Sequence, residues 1–168
     1  MKSNIAVATV MALGLMSMNT MAAGVNSGKV SFKGTVVDTP CSLAPDENGE
    51  DVKVNFGQLS LSQLNAGHQT TQNFVINLND CDLTGKTAGI TFDAVDTDAA
   101  KTLINASGTA SNLGIGIQGI TFGTEKALTG THDGDNALQF TAFAKKAAAT
   151  DVTAGNFDAV STFVISYK

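Results

Sequence analysis

The chain has 168 residues and a formal charge of −5, and its 10 basic side chains are all lysine. Arginine's bidentate fork is the group that best grips phosphate, so its absence argues against nucleic acid and anionic membrane as partners. A moderate negative charge mainly favours solubility, and neither His68 nor His132 stands at metal-ligand spacing from the two cysteines, Cys41 and Cys81.

Taken from the start, Met1 and Lys2 give a short positive opening, and an uncharged apolar run extends from Ile5 to about Met18. Small residues at Ala22 and Ala23 close it. This pattern predicts a secretory signal peptide over residues 1–22, cleaved after Ala22 in preference to Ala23. The apolar run is shorter than the roughly 20 residues that a membrane span needs, so no membrane insertion is expected once it is removed. Residues 23–168 then have the size of one domain. Export places Cys41 and Cys81 in an oxidising compartment, where an even pair reads as a disulfide.

Directly after the cleavage point, Gly28, Val30 and Phe32 share one face while Lys29, Ser31 and Lys33 share the other. This is a strand pattern on a free end, which stays disordered unless something ties it down. An ordinary first strand fits the same residues.

Further along, residues 45–49 are turn-rich, and Val52, Val54 and Phe56 then alternate up to Gly57. A short helix or turn is expected over residues 59–64, with Ser60 or Ser62 able to cap it. Alternating apolar residues recur at Phe74, Ile76 and Leu78, at Ile90 and Phe92, and at Leu113, Ile115 and Ile117. Leu138, Phe140 and Ala142 form the next set. Residues 142–149 are rich in helix formers, but Thr141 and Phe143 favour a strand whose end stays open. Turns are expected at residues 93–98 and 132–136. In the last stretch Ala159, Ser161, Phe163, Ile165 and Tyr167 share one face. Short period-two strands separated by turns predict an all-β antiparallel sandwich.

Three patterns suggest chemistry and are set aside. Residues 114–119 spell a dinucleotide-binding fingerprint, but that fingerprint opens a helix, whereas Ile115 and Ile117 alternate as a strand does. The shift of apolar parity at Gly119 is expected to mark a bulge. The aspartates at 93, 96, 98, 133 and 135 lack a regular calcium-ligand series and read as solvated turns. His132 beside Asp133 does not make an acid–base pair, and no nucleophile elbow or Cys–His arrangement is present. Neither a cofactor nor an enzymatic activity is expected.

Several segments then fall in a familiar order: Gly28-Lys-Val-Ser-Phe-Lys-Gly-Thr-Val-Val37, Asp38-Thr-Pro-Cys41, Phe74-Val-Ile-Asn-Leu-Asn-Asp-Cys-Asp82 and Thr162-Phe-Val-Ile-Ser-Tyr-Lys168, with Gly155 fourteenth from the end. In these the chain resembles the major pilins of chaperone–usher fimbriae of Gram-negative bacteria, the shaft subunits of type 1 and P pili. The resemblance implies an immunoglobulin-like sandwich lacking its last strand and completed in trans by a donor strand. Residues 23–35 are the implied donor, through Val25, Gly28, Val30 and Phe32, although Val25 breaks the even-numbered alternation. Residues 36–168 are the implied pilin domain. Its acceptor groove and chaperone-binding strand are assigned to Gly155, Phe163, Ile165, Tyr167 and Lys168.

The implied partners are neighbouring pilin subunits in a homopolymer, a periplasmic pilus chaperone and an outer-membrane usher. The implied role is a structural subunit, exported through the periplasm, of a surface filament that supports cell adhesion. A minor adaptor, a terminator or a receptor-binding adhesin is the alternative. A tip adhesin is expected to carry an extra lectin domain, for which residues 23–168 leave no room. A terminator is expected to lack the donor that Val30 and Phe32 supply.

Overall fold

The computed structural model describes residues 28–168, so the expected signal peptide and Val25 lie outside the described residues. The chain divides into two units between Thr35 and Val36. Residues 28–35 are exposed and belong to no strand, with Val30 75% and Phe32 90% exposed. The strand expected there therefore forms no ladder.

From Val36 onward the fold is all-β apart from one helical turn. In chain order the elements are β1 (Ser42–Leu43), α1 (Leu61–Asn65), β2 (Thr70–Cys81), β3 (Ala88–Asp93), β4 (Ile104–Asn105), β5 (Ser107–Gly108), β6 (Leu113–Ile117), β7 (Glu125–Leu128), β8 (Gly134–Lys146), β9 (Phe157–Asp158) and β10 (Thr162–Tyr167). One antiparallel sheet runs β1-β2-β8-β6-β4 and a second runs β10-β3-β7, with β5 and β9 paired apart. The long β2–β8 ladder runs from Thr70 opposite Ala144 to Leu78 opposite Asn136, and its register then shifts before Cys81 meets Gly134.

Period-two alternation turns Ile76 and Leu78 of β2, Ile90 and Phe92 of β3 and Leu138 of β8 into one core. Aromatic rings join the two sheets. Phe74 stacks on Phe140 at 5.5 Å between centroids, Phe92 meets Phe140 edge-on at 5.2 Å, and Phe163 lies 6.0 Å from Phe92. The Cys41–Cys81 disulfide is formed and buried, tying the approach to β1 to the end of β2.

Several expectations need correction. The helix is shifted to Leu61–Asn65, and the Ser60 hydroxyl meets the Ser62 hydroxyl at 3.1 Å instead of capping a backbone N–H. β8 already begins at Gly134, inside the expected turn; at its other end it continues as a strand, as Thr141 and Phe143 favour, and stops at Lys146, with β6 paired along its second half. The parity change at Gly119 is a turn that ends β6, with φ +68°, rather than a bulge. Ile120 and Phe122 leave the strand but stay buried.

The turn aspartates are fastened rather than merely solvated, Asp96 among them through Asn105 Nδ2 at 2.7 Å. Asp98 accepts from the backbone N–H groups of Thr102 and Leu103 at 2.6 and 2.9 Å. Asp133 accepts from Leu83 N at 2.6 Å, and Asp135 from Asp80 N at 3.2 Å. The last two tie the end of β2 and the loop after it to the start of β8.

Candidate functional site

Residues 50–56 have the composition of a strand and half of its geometry. Val52, Val54 and Phe56 are turned inward and half-buried, while Asp51, Lys53 and Asn55 are exposed. No backbone–backbone hydrogen bond joins residues 51–58 to another described residue, so the strand expected here has no ladder. Across from it runs the stretch from β9 to β10, with the same alternation. Phe157, Ala159, Ser161 and Phe163 are half-buried, and Asp158, Val160, Thr162 and Val164 are exposed. β10 pairs with β3 along one edge only.

Between these two walls lies an open groove of about 750 Å³, floored by apolar side chains including Phe74, Ile76, Phe92 and Ile117. Phe56 faces Phe157 at one end, with ring centroids 6.2 Å apart. At the other end Val52 and Phe163 pack on the main core. The walls are therefore antiparallel, and among the described residues no backbone hydrogen bond joins one to the other. An apolar groove flanked by an unpaired strand edge can accept one more strand, which supplies both the backbone bonds and the side chains.

The residues singled out from the sequence take different places around it. Phe163 lines the groove. Ile165 and Tyr167 lie further along β10, packed on the main core outside the groove lining, and burial pushes the Tyr167 hydroxyl above its ordinary range. Lys168 exchanges backbone hydrogen bonds with Thr87 at 2.9 and 2.7 Å. Its ammonium meets the Glu125 carboxylate at 2.6 and 2.9 Å, and that contact, followed by the Ser166 hydroxyl, holds Glu125 below the usual carboxylate range.

Gly155 lies outside the groove lining. It presses on the backbone of Thr109 and Ala110, where a Cβ would stand 2.4 Å from Ala110 N, so its lack of a side chain serves a close backbone approach. Gly28, Val30 and Phe32 are exposed. Sequence reasoning found the alternation of Val52, Val54 and Phe56 but not their place as a groove wall. The floor residue Ile104, in the two-residue strand β4, has no periodicity to announce it. Among the described residues, no group of three metal-ligating side chains forms, and no helix is long and apolar enough to cross a membrane.

A two-sheet sandwich left open along one side, with an exposed alternating arm ahead of it, is the architecture of a fimbrial subunit. The chain belongs to the fimbrial protein family, whose model matches residues 30–168. It is 38% identical to Fimbria A protein of Serratia marcescens over the whole of both chains. It is also 38% identical to the PRS fimbrial major pilin protein of Escherichia coli, across 88% of this chain and 98% of that one. Among solved structures it resembles a subunit of a chaperone–usher pilus at TM-score 0.76 and 34% identity, covering 85% of this chain and 96% of that one. The P pilus rod subunit PapA matches at TM-score 0.68 and 30% identity, over 77% and 100% of the two chains.

Proposed function

We propose that this structural fimbrial subunit builds the shaft of a surface filament by donor-strand exchange. Residues 23–35 of one copy, through Val30 and Phe32 with Val25 and Gly28 beside them, fill the groove of the next. The observation that carries this reading is the pair of alternating walls, residues 50–56 and 157–163, facing each other across apolar floor residues with no strand between them among the described residues. A Val or Phe side chain moved from full exposure to full burial contributes about 1.5–3 kcal/mol, and Val30 and Phe32 are both largely exposed. Gly28 suits the narrow end of such a groove because it lacks a Cβ.

Donor and acceptor are different surfaces of the same chain, so the contact is head-to-tail and generates an open fibre. Before assembly the apolar groove needs cover. A periplasmic pilus chaperone pairing along β10, followed by handover at an outer-membrane usher, meets that need and sets the route from periplasm to cell surface. The rod-subunit and major-pilin relatives favour a shaft position over an adaptor or adhesin role.

The test is incorporation of a peptide of residues 23–35 into the groove of the full chain on dilution from denaturant. A bound peptide that raises the melting temperature by tens of degrees and dissociates slowly is the expected result. A melting curve indifferent to the peptide, together with failure of the chain to polymerise, would overturn the reading.

A further inference from the structure

Hydrophobic alternation alone leaves the docking register open. A one-residue slip turns Val30 and Phe32 out of the groove and is strongly penalised, but a two-residue slip keeps the same parity. Something else must distinguish registers two residues apart.

The charges on the two surfaces supply it. With Val30 and Phe32 directed inward, Lys29 and Lys33 are directed to the mouth of the groove, one on each side of the apolar pair. Four residues of extended chain separate them by about 13 Å. Residues 23–37 contain no carboxylate side chain.

The groove mouth carries acids at both ends. Asp158 is exposed on one wall, next to Phe157 and therefore at the Phe56 end. Glu50 and Asp51 belong to the other wall, at the Phe163 end. Asp51 lies five residues before Phe56, so on antiparallel walls it stands level with about residue 162, four residues beyond Asp158. The two acidic positions are thus also about 13 Å apart along the groove. One base lies among them: Lys53 approaches Asp51 at 3.3 Å and Glu47 at 3.7 Å. Three carboxylates against one ammonium leave that end net negative.

We propose that Lys29 and Lys33 of the incoming copy set the register of donor-strand docking by pairing with the two acidic ends of the groove, Glu50–Asp51 and Asp158. This rests on the donor-strand reading above and adds the determinants of its register. A slip of two residues moves both lysines by about 7 Å, off both acidic ends at once. These are solvent-exposed charges, so they act more on encounter and selection of register than on final affinity, and salt weakens them.

The experiment uses the full chain as acceptor, diluted from denaturant into labelled peptides of residues 23–37, with incorporation rate followed from low to high salt. The unsubstituted peptide is expected to load about tenfold faster at low salt than at high salt. A peptide carrying Lys29→Gln and Lys33→Gln is expected to load at the slower rate throughout. A peptide carrying Lys29→Glu and Lys33→Glu is expected to load more slowly still at low salt, with recovery on an acceptor carrying Asp51→Lys and Asp158→Lys. Equal rates and equal salt dependence for all three peptides on the unsubstituted acceptor would overturn the register proposal, whether or not the substituted acceptor folds. A Phe32→Asp peptide separates the two readings. If it fails to load while the lysine variants load normally, only the register proposal falls; if it loads like the unsubstituted peptide, donor-strand exchange itself falls.

Discussion

Glu125 lies across the α-carbon of Gly89. A Cβ on that glycine would stand 2.6 Å from the glutamate Oε1. Gly89 belongs to β3, the middle strand of the smaller sheet, and the bare backbone there lets the Glu125 side chain cross from β7 to Lys168 and Ser166 at the far edge. The far edge is β10, the strand that continues the groove wall.

This arrangement predicts a specific acid sensitivity. Lys168, then Ser166, hold Glu125 below its ordinary value of 4.5. A carboxylate whose folded value is depressed contributes stability that is present above its unfolded pKa and lost as pH falls through the folded one. The loss therefore falls below about pH 4.5. Because the pair is exposed, a Glu125→Gln variant is expected to melt at most about 2 °C lower at neutral pH, with the difference vanishing in acid. Gly89→Ala is expected to reproduce the effect by pushing the flexible glutamate aside. Melting curves at pH 7 and pH 3 for both variants check this.

The glycines of the fingerprint-like segment do packing work that has nothing to do with phosphate. A Cβ on Gly116 would stand 2.3 Å from the Phe143 ring and 2.8 Å from the backbone oxygen of Thr102. Overpacking of this kind costs about 1–3 kcal/mol, so Gly116→Ala is expected to lower Tm by roughly 5–10 °C. Calorimetry of the purified variant measures it.

The same segment shows what the sequence could and could not reveal. β2, β3, β6, β8 and β10 are legible because each alternates over enough residues to define a face, and Ile76, Ile90 and Leu138 are core residues for that reason. β1, β4, β5 and β9 are two residues long and exist only through their tertiary partners, so no local period announces them. Residues 52–56 are the instructive case. Their alternation equals that of the true strands, but local pattern records only that a segment is suited to a ladder, not whether the partner strand is in the same chain. Only family resemblance therefore implies the groove, and nothing in the local pattern marks residues 52–56 as its first wall. The position of Gly155 is similar: spacing does not say which backbone approaches a glycine, and here it is that of Thr109 and Ala110.

Loss of the disulfide is expected to act through the unfolded chain. Cys41 and Cys81 are 40 residues apart, and opening a loop of that length costs about 4 kcal/mol in the chain-entropy model. Cys41→Ser with Cys81→Ser is expected to lower Tm by roughly 15 °C. Reductant is expected to destabilise the unsubstituted chain alone, which a thermal melt with and without dithiothreitol tests.

The groove wall and the groove floor are expected to respond differently to substitution. Ile76 is fully buried and belongs both to the core and to the floor, so Ile76→Ala is expected to cost about 2–5 kcal/mol whether or not a donor is bound. Val54 lines the groove but is only half-buried in the isolated chain, with no ladder to break. Removing its apolar surface therefore costs the free domain little, while the complex loses the contact that completes its burial. For Val54→Ser that loss is on the order of 1.5 kcal/mol, or about a tenfold faster donor dissociation. Measuring Tm of the free chain alongside the off-rate of a bound 23–35 peptide separates the two. A wall residue moves the off-rate and spares the melt, whereas a core residue moves the melt first. If Val54→Ser lowered the free-chain Tm as much as Ile76→Ala and left the off-rate unchanged, residues 50–56 would be an ordinary part of the core rather than a face awaiting a strand.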